Sequence, residues 1–483
     1  MKIICSFILA VLPFVIIAQE SDSRSAVFGA YKDANNVQYE DFLKISRAQF
    51  DSYAQKMRKE WETFIVQKGM KMPLLPEPEI QPVAPIVPSL PPILPFPDDA
   101  DKGMEDLILP LKPVIPVVQD IPEPIFTTFD FVFYGTDCKV RMGVDFDFSL
   151  PTVSENACAD IWDKLSLANV SILVEDCFKL KGSMQLGDWG MIELTKMLGE
   201  AYYGVGNEAV FFQMFILVWA GYQVRLSKSE EKLILLIPFD CQIYDYSYIS
   251  INSQKFYLMD KKNTKSGSYQ VLNMAIAGEK TPSILQCGTP RLAYKAAEKR
   301  EFRLGEGKIA VVSPNKNLID FYDAYPLSEK WNYYVSASLG AEIKNGLYPH
   351  LREKIAGRTE QAAVNYLLHF VQKGFAYKTD GEQFGYERPF FGDENFYYPY
   401  NDCEDRSILL SILVRDLLNL DVVLLFYPGH LSTAIRFSDD IPGAYYNLAE
   451  GKYYSCDPTY IGATAGELMP EFSKSSAKII RVE

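Results

Sequence analysis

The sequence predicts an α+β fold in which a helix packs on an antiparallel sheet. Near the carboxyl end, an apolar helical pattern begins after Cys403 and is followed by short alternating strands. A similar order of one helix and several strands occurs earlier in the chain, after Asn207. We therefore expect a core domain at residues 341–483, preceded by a degenerate copy of the same fold at residues 128–284.

The first 18 residues have the pattern of a secretory signal peptide. Lys2 is followed by an apolar run from Ile3 to Ile17 and by the small residue Ala18. The run is too short for a membrane anchor, and no later segment is long and apolar enough to span a bilayer. We expect cleavage after Ala18 and export to the periplasm, the cell surface or the medium, without a transmembrane anchor.

The charge of the chain excludes nucleic acid as an expected partner. The formal net charge is −14, and removal of Lys2 with the signal leaves 47 − 62 = −15. Such a chain repels phosphate backbones, and no basic stripe offsets the repulsion.

The cysteine count is odd once the signal peptide is removed, because Cys5 leaves with it and seven of the eight cysteines remain. In an exported protein this count predicts disulfides and at least one free thiol. The candidates for bridges are Cys138, Cys158, Cys177, Cys241 and Cys287, with the pairing left open. Cys403 is the expected free thiol.

Two segments precede the first core and are candidates for binding a protein partner. Residues 19–70 form an expected amphipathic helical arm, with helical spacing over 38–68. Residues 71–127 hold 15 of the 29 prolines and form an apolar, proline-rich linker. The linker either lies along an apolar groove of the following domain or serves as a ligand for a peptide-recognition module.

The remaining elements follow from hydrophobic periodicity. We expect a helix from Glu208 to Ala220, strands at 222–226, 233–238, 256–259 and 422–427, a connector or small β module of short strands and turns at 285–340, a helix after Gly357, and a loop from Phe375 to Tyr400.

The two halves share a short internal similarity. Lys255–Asp260 has the same pattern as Lys452–Asp457, and Asn207 precedes Asp260 by 53 residues, as Cys403 precedes Asp457 by 54. By this alignment the first copy has Asn207 in place of the thiol and Ile234 in place of a histidine. The alternative is that two unrelated segments share an aromatic strand by chance.

Three residues in the second half have the chemistry of a catalytic triad. His430 follows Cys403 by 27 residues, and Asp457 follows His430 by another 27. A thiol, an imidazole and a carboxylate supply a nucleophile, its base and the group that orients the base. The other two histidines, His350 and His369, have helical contexts typical of structural residues.

Cys403 is expected in the first turn of its helix, with Asp402 as the N-cap. The positive end of the helix dipole would then lower the pKa of the thiol. The acidic residues 402–405 are either a solvated helix cap, which we favour, or a calcium site. The spacing typical of zinc sites is missing, and we expect no metal or other cofactor.

These motifs resemble the transglutaminase-like superfamily of papain-related cysteine enzymes, and in particular the bacterial transglutaminase-like cysteine proteinases. The resemblance covers roughly residues 345–470, and its motifs are Asp402-Cys403-Glu404-Asp405, Gly429-His430 and Cys456-Asp457-Pro458-Thr459. It implies a papain-like or transglutaminase-like core with Cys403 as nucleophile, His430 as base and Asp457 as orienting partner. Leu431-Ser432-Thr433 departs from the aromatic residue that many members have after the histidine, which puts the substrate cleft in doubt.

An acyl-transfer site also needs donors for the oxyanion. The backbone N–H of Cys403 is one candidate, and the preceding loop supplies the side chains of Gln383, Tyr397, Tyr398 and Tyr400. Of these we single out Tyr398 and Gln383.

Three functions remain open from the sequence. The favoured hypothesis is an exported cysteine peptidase or amide hydrolase that acts on a protein or peptide. The second is a transglutaminase, in which an amine takes the place of water. The third is an inactive scaffold or binding protein that retains the fold.

Overall fold

The computed structural model describes most of the chain after residue 125. The described residues are 126–143, 146–166, 168, 170–260, 268–273, 281–304, 308–328, 330–427, 429–470, 472 and 477–482. The predicted signal peptide, the helical arm and the linker up to residue 125 lie outside them. Residues 384–387 belong to a separate compact unit, whereas 126–383 and 388–482 belong to one unit, which is described below.

The first half consists of a hairpin, four helices and a sheet. Its helices are α1 (Glu155–Ser166), α2 (Val170–Ser183), α3 (Asp188–Tyr203) and α4 (Asn207–Trp219). Its strands are β1 (Phe126–Phe133), β2 (Thr136–Gly143), β3 (Arg225–Ser229), β4 (Lys232–Ile237), β5 (Tyr248–Ile251), β6 (Gln254–Leu258) and β7 (Gln270–Val271).

The middle region contains helices as well as strands. It comprises β8 (Arg300–Arg303), β9 (Ile309–Val312), α5 (Lys316–Asp323) and α6 (Trp331–Ser336). The expectation of strands and turns alone at 285–340 was therefore wrong. α5 is a short helix capped by Asn315, whose side chain accepts from the N–H of Asn317, and it buries one apolar face.

The second half repeats the order of helices followed by a sheet. Its helices are α7 (Ala341–Ile355), α8 (Glu360–Gly374), α9 (Asp380–Gln383), a 3₁₀ helix (Gly392–Phe396) and α10 (Cys403–Leu418). Its strands are β10 (Ala376–Tyr377), β11 (Tyr400–Asn401), β12 (Val422–Tyr427), β13 (His430–Arg436), β14 (Tyr445–Leu448), β15 (Gly451–Cys456) and β16 (Lys478–Arg481).

The two five-stranded sheets have the same topology. The strand order is β5-β6-β4-β3-β7 in the first sheet and β14-β15-β13-β12-β16 in the second, with every neighbouring pair antiparallel. In each half a helix, α4 or α10, immediately precedes the first strand of the sheet. Each sheet is therefore built from consecutive elements in the same sequence of steps.

The strand registers also match between the two sheets. The hairpin β3–β4 closes on the pair Ser229 and Lys232, and the hairpin β12–β13 closes on Tyr427 and His430. Both hairpins have a two-residue connection, which fixes their register. Lys232 and His430 therefore occupy the same position in their sheets.

Both faces of the sheets are covered, and side chains alternate between two apolar layers. In β4, Leu233, Leu235 and Ile237 enter the main core, whereas Ile234 and Leu236 belong to a smaller cluster on the other face. β12 alternates in the same way. This period of two follows from strand geometry, and burial on both faces explains the nearly continuous apolar runs.

Several predicted elements are confirmed. β12 has the predicted bounds, and the helix expected at 208–220 lies at Asn207–Trp219. The strands expected at 222–226, 233–238 and 256–259 are found at 225–229, 232–237 and 254–258. Among the described residues, no helix has both the length and the apolar character required to cross a bilayer.

The predicted disulfides are not formed among the described cysteines. Cys138, Cys158, Cys177, Cys241, Cys287, Cys403 and Cys456 are all free. Most of them are buried in the apolar core, where a thiol packs as a small hydrophobic group. The prediction failed because an odd count of cysteines does not tell a bridged cysteine from one that only fills space.

Candidate functional site

Cys403 is the first residue of α10, as predicted, with Asp402 in the N-cap position. The side chain is half-buried, and its Sγ donates to Glu404 Oε2 at 3.0 Å. The backbone N–H of Asp402 donates to Asp405 Oδ2 at 3.2 Å, which fixes the start of the helix. At its other end α10 stops at Asn419, whose positive φ of 54° is typical of a left-handed C-cap.

The thiol of Cys403 is held in its neutral form. Burial raises its pKa well above the ordinary value, and the charges of Glu404 and Asp402 raise it further, while the N–H of Leu431 lowers it. The expectation that the helix dipole lowers this pKa was therefore wrong. Desolvation and two nearby carboxylates outweigh a dipole that contributes about 1 kcal/mol.

His430 and Asp457 form the second part of the predicted triad. His430 Nε2 lies 2.8 Å from Asp457 Oδ2, and both side chains are buried. The other oxygen, Asp457 Oδ1, accepts from the backbone N–H of Thr459 at 2.8 Å and of Tyr460 at 3.3 Å. Because Nε2 is engaged with the carboxylate, Nδ1 is the ring nitrogen left to accept a proton.

A side-chain hydrogen bond holds the start of α10 against the start of β13. Ser407, one turn after Cys403, donates through its hydroxyl to the carbonyl of Leu431 at 2.9 Å. Leu431 follows His430 directly, and a hydrogen bond from its N–H lowers the pKa of the Cys403 thiol. The thiol and the imidazole are thus on adjoining elements, although no hydrogen bond joins them within the described part of the chain.

Aromatic rings enclose the imidazole. The ring of Phe472 stacks on His430 with centroids 4.8 Å apart and an interplanar angle of 8°. Tyr427 lies beside both rings, and its hydroxyl is 2.6 Å from that of Tyr446. These contacts restrict rotation of the imidazole about its side-chain bonds.

The acidic cluster at the helix start is buried and not solvated, contrary to expectation. Asp402 and Glu404 are 5% exposed and Asp405 is fully buried. Burial raises the pKa of all three carboxyl groups. Asp405 Oδ1 accepts from the N–H of Phe390 at 2.9 Å, so the cluster holds the preceding loop.

Two sets of side chains in this cluster lie close enough to hold one cation. They are Asp402, Cys403 and Glu404, and Asp380, Asp402 and Asp405. In the second set, Asp402 Oδ2 accepts from the backbone N–H of Asp380 at 3.2 Å. Backbone donors already use the carboxylates of Asp380, Asp402 and Asp405, and we therefore assign the cluster a structural role.

The predicted oxyanion donors lie between α8 and α10, with Gln383 at the end of α9 and Tyr398 after the 3₁₀ helix. The ring of Tyr398 stacks on Phe390 at 5.0 Å and lies under the guanidinium of Arg388 at 4.7 Å. Gln383 donates through Nε2 to the carbonyl of Tyr400 at 3.4 Å. Neither described side chain hydrogen-bonds to Cys403, and their oxyanion role stays a prediction.

Sequence analysis missed Gln372, which fixes the segment after Asp457. Its Nε2 donates to the carbonyls of Asp457, Tyr460 and Ala463 at 3.2, 2.8 and 3.1 Å, and its Oε1 accepts from Gly462 N–H at 3.1 Å. Gln372 is only 2% exposed. A polar residue on the apolar face of α8 was the available signal.

Tyr377 was also missed. Burial raises the pKa of its hydroxyl, and the neighbouring Cys403 and Asp402 raise it further, which places the phenol near the thiol. Its ring lies 5.2 Å from the guanidinium of Arg406. No sequence pattern distinguished Tyr377 from the other tyrosines of this aromatic loop.

Comparison with known proteins gives no match to any family model, curated protein or solved structure. The functional argument therefore depends on the residues and the geometry described above.

Proposed function

We propose that this protein is a cysteine hydrolase that cleaves peptide or related amide bonds through an acyl-enzyme. The observation that carries the proposal is the 2.8 Å contact between His430 Nε2 and Asp457 Oδ2, on a strand joined to the first turn of the Cys403 helix. A nucleophile at a helix start, a base on an adjoining strand and a carboxylate behind the base are the parts that this chemistry requires.

In the proposed reaction Cys403 Sγ attacks the amide carbonyl carbon and His430 Nδ1 takes the thiol proton. The intermediate then collapses, the C–N bond breaks, and the imidazolium gives its proton to the leaving amine. A water molecule, deprotonated by the same nitrogen, attacks the thioester, which releases the acid and regenerates the thiol.

The resting thiol is neutral in this proposal. Because burial and Glu404 raise the pKa of Cys403, proton transfer to His430 accompanies the attack and does not precede it. In the structure the thiol proton is donated to Glu404 Oε2 in a hydrogen bond. This hydrogen bond must break before the proton can pass to His430. Substrate entry is the event that we expect to redirect it.

The fold that we propose for the second half is the papain and transglutaminase type of core. Its support is the packing of α10 on β13, with the candidate nucleophile at the first residue of the helix. The proposal also retains an exported protein with a polypeptide substrate. Export is proposed from the signal-like amino terminus, and the polypeptide substrate from the family resemblance.

The experiment supplies casein together with a fluorescent primary amine. Hydrolysis releases fragments, whereas a transglutaminase incorporates the label into casein. Cys403→Ala and His430→Ala should abolish the activity, and Cys241→Ala, which removes another partly exposed thiol, should retain it. Amine incorporation without fragments would show that the protein is a transferase and not a hydrolase. An unreactive Cys403 and the absence of either activity would favour a binding protein.

A further inference from the structure

The first half contains a cavity of about 620 Å³ at the position that corresponds to the candidate active site of the second half. Asn207 at the start of α4, Lys232 at the start of β4, and Asp260 after β6 all line it. Their counterparts by element and register are Cys403, His430 and Asp457.

The contacts at Asn207 repeat those at Cys403. Leu233 follows Lys232 as Leu431 follows His430, and its N–H donates to Asn207 Oδ1 at 2.9 Å. In the second half the N–H of Leu431 likewise forms a hydrogen bond with the Cys403 thiol. Asn207 therefore takes the place of the nucleophile, as the sequence predicted.

Lys232, and not Ile234, occupies the position in the first half that His430 occupies in the second. This corrects the alignment made from the sequence. Lys232 Nζ lies 2.6 Å from Asp260 Oδ2, in the manner of the contact between His430 and Asp457. The sequence alignment was displaced because α4 is 13 residues long and α10 is 16. An amide and a paired ammonium supply neither nucleophile nor base, so this cavity is suited to binding.

The cavity has an excess of negative charge. Its lining includes three carboxylates, Glu193, Glu200 and Asp260, and two ammonium groups, Lys196 and Lys232. Lys232 is engaged with Asp260, and Lys196 lies 3.8 Å from the buried Glu193. The half-buried Glu200 therefore supplies the charge that is not balanced within the lining.

The walls offer apolar surface. Ile192, Val210 and Tyr246 line the cavity together with Trp189.

We propose that this cavity binds a lysine side chain of a polypeptide, with its ammonium group facing Glu200. The apolar walls suit the four-carbon stem of lysine. An anionic ligand fits less well, because Asp260 already neutralises Lys232. Glu208 in the first turn of α4 also offsets the positive end of that helix.

The test measures binding of Nα-acetyl-lysine methylamide by calorimetry to the full chain carrying Cys403→Ala, so that the second half cannot consume the probe. The norleucine and glutamate analogues provide apolar and anionic comparisons. We expect the lysine probe to bind roughly tenfold tighter than the norleucine probe, as for one hydrogen bond to a charged group.

Two further substitutions should change the affinity in opposite directions. Glu200→Gln removes the unbalanced charge and should weaken lysine binding roughly tenfold. Lys232→Met frees Asp260 and should strengthen it. Asp163→Asn, at an exposed position on α1 outside the lining, should have no effect. Equal binding of the lysine and norleucine probes, tighter binding of glutamate, or no response to either substitution would overturn the proposal.

Discussion

Glu404 Oε2 lies 3.0 Å from Cys403 Sγ, so the candidate nucleophile is hydrogen-bonded to its own neighbour in the first turn of α10. The carboxylate disfavours the thiolate, because ionisation of the thiol would bring two negative charges together. In the proposed reaction, this contact and burial keep the thiol protonated until a substrate and His430 act on it.

Replacement of Glu404 by Gln should lower the pKa of Cys403. The substitution removes the charge and retains the shape of the side chain, and the pH midpoint of iodoacetamide modification should move to lower pH. Glu382→Gln, a change at an exposed position of the short helix α9, provides the control. An unchanged midpoint would show that burial alone sets the pKa of the thiol.

Asp457→Asn should abolish the proposed hydrolase activity without unfolding the protein. One oxygen at this position must still accept from Thr459 and Tyr460, which turns the amide NH₂ towards His430 Nε2. Nε2 must then accept, so the ring proton moves to Nδ1, where the base is needed. Casein hydrolysis should fall by roughly 10³–10⁴-fold with little change in melting temperature. Retention of wild-type activity would remove Asp457 from the triad.

Gln372→Glu should destabilise the second half, because a carboxylate would face three carbonyl oxygens that now accept from Nε2. We expect a loss of about 2 kcal/mol or more at neutral pH, and a smaller loss in acid, where the new carboxyl group is protonated. Thermal unfolding measures both values. Lys373→Ala, at the exposed neighbouring position, should change stability little, and an equal effect of the two substitutions would contradict the role of Gln372.

Asp393 gives the protein a specific pH dependence. Burial raises the pKa of its carboxyl group to about 7, although the N–H of Gly340, which donates to Oδ2 at 2.8 Å, opposes the shift. A raised pKa of an acid means that the folded state binds the proton more tightly. Stability contributed by the neutral form is therefore present below the unfolded pKa of about 4 and is lost as the pH rises towards 7.

Asp393→Asn should remove that loss and keep the acceptor for Gly340. The substituted protein should be more stable at about pH 8, by up to about 4 kcal/mol, and the difference should disappear near about pH 4. Denaturant unfolding at the two pH values gives the comparison. Lower stability of the substituted protein at the higher pH would contradict the assigned direction.

Local pattern was sufficient to predict the elements that carry the candidate site. The apolar spacing after Cys403 predicted α10, and the continuous apolar run from Val422 to Tyr427 predicted β12, because both depend on residues close in sequence. The contact of His430 with Asp457 was predicted from residue types and their order, and this contact is found in the structure.

Properties set by tertiary packing could not be predicted in this way. Charged residues at positions 402–405 gave no sign of burial, which depends on the loop that covers them. The pKa of Cys403 follows from that burial, so its direction was predicted wrongly. Ile234 was aligned with His430 in place of Lys232 because residue spacing, and not strand register, guided the alignment.

The relation between Cys403 and His430 is tested most directly by the rate of iodoacetamide modification of Cys403, measured by peptide mass in the wild-type chain and in His430→Ala. Cys241, another partly exposed free thiol, provides the internal standard in the same sample. If His430 takes the thiol proton, Cys403 should react at least about tenfold more slowly in His430→Ala, while Cys241 is unaffected. Equal rates at Cys403 in the two proteins would contradict the proposed pair of nucleophile and base.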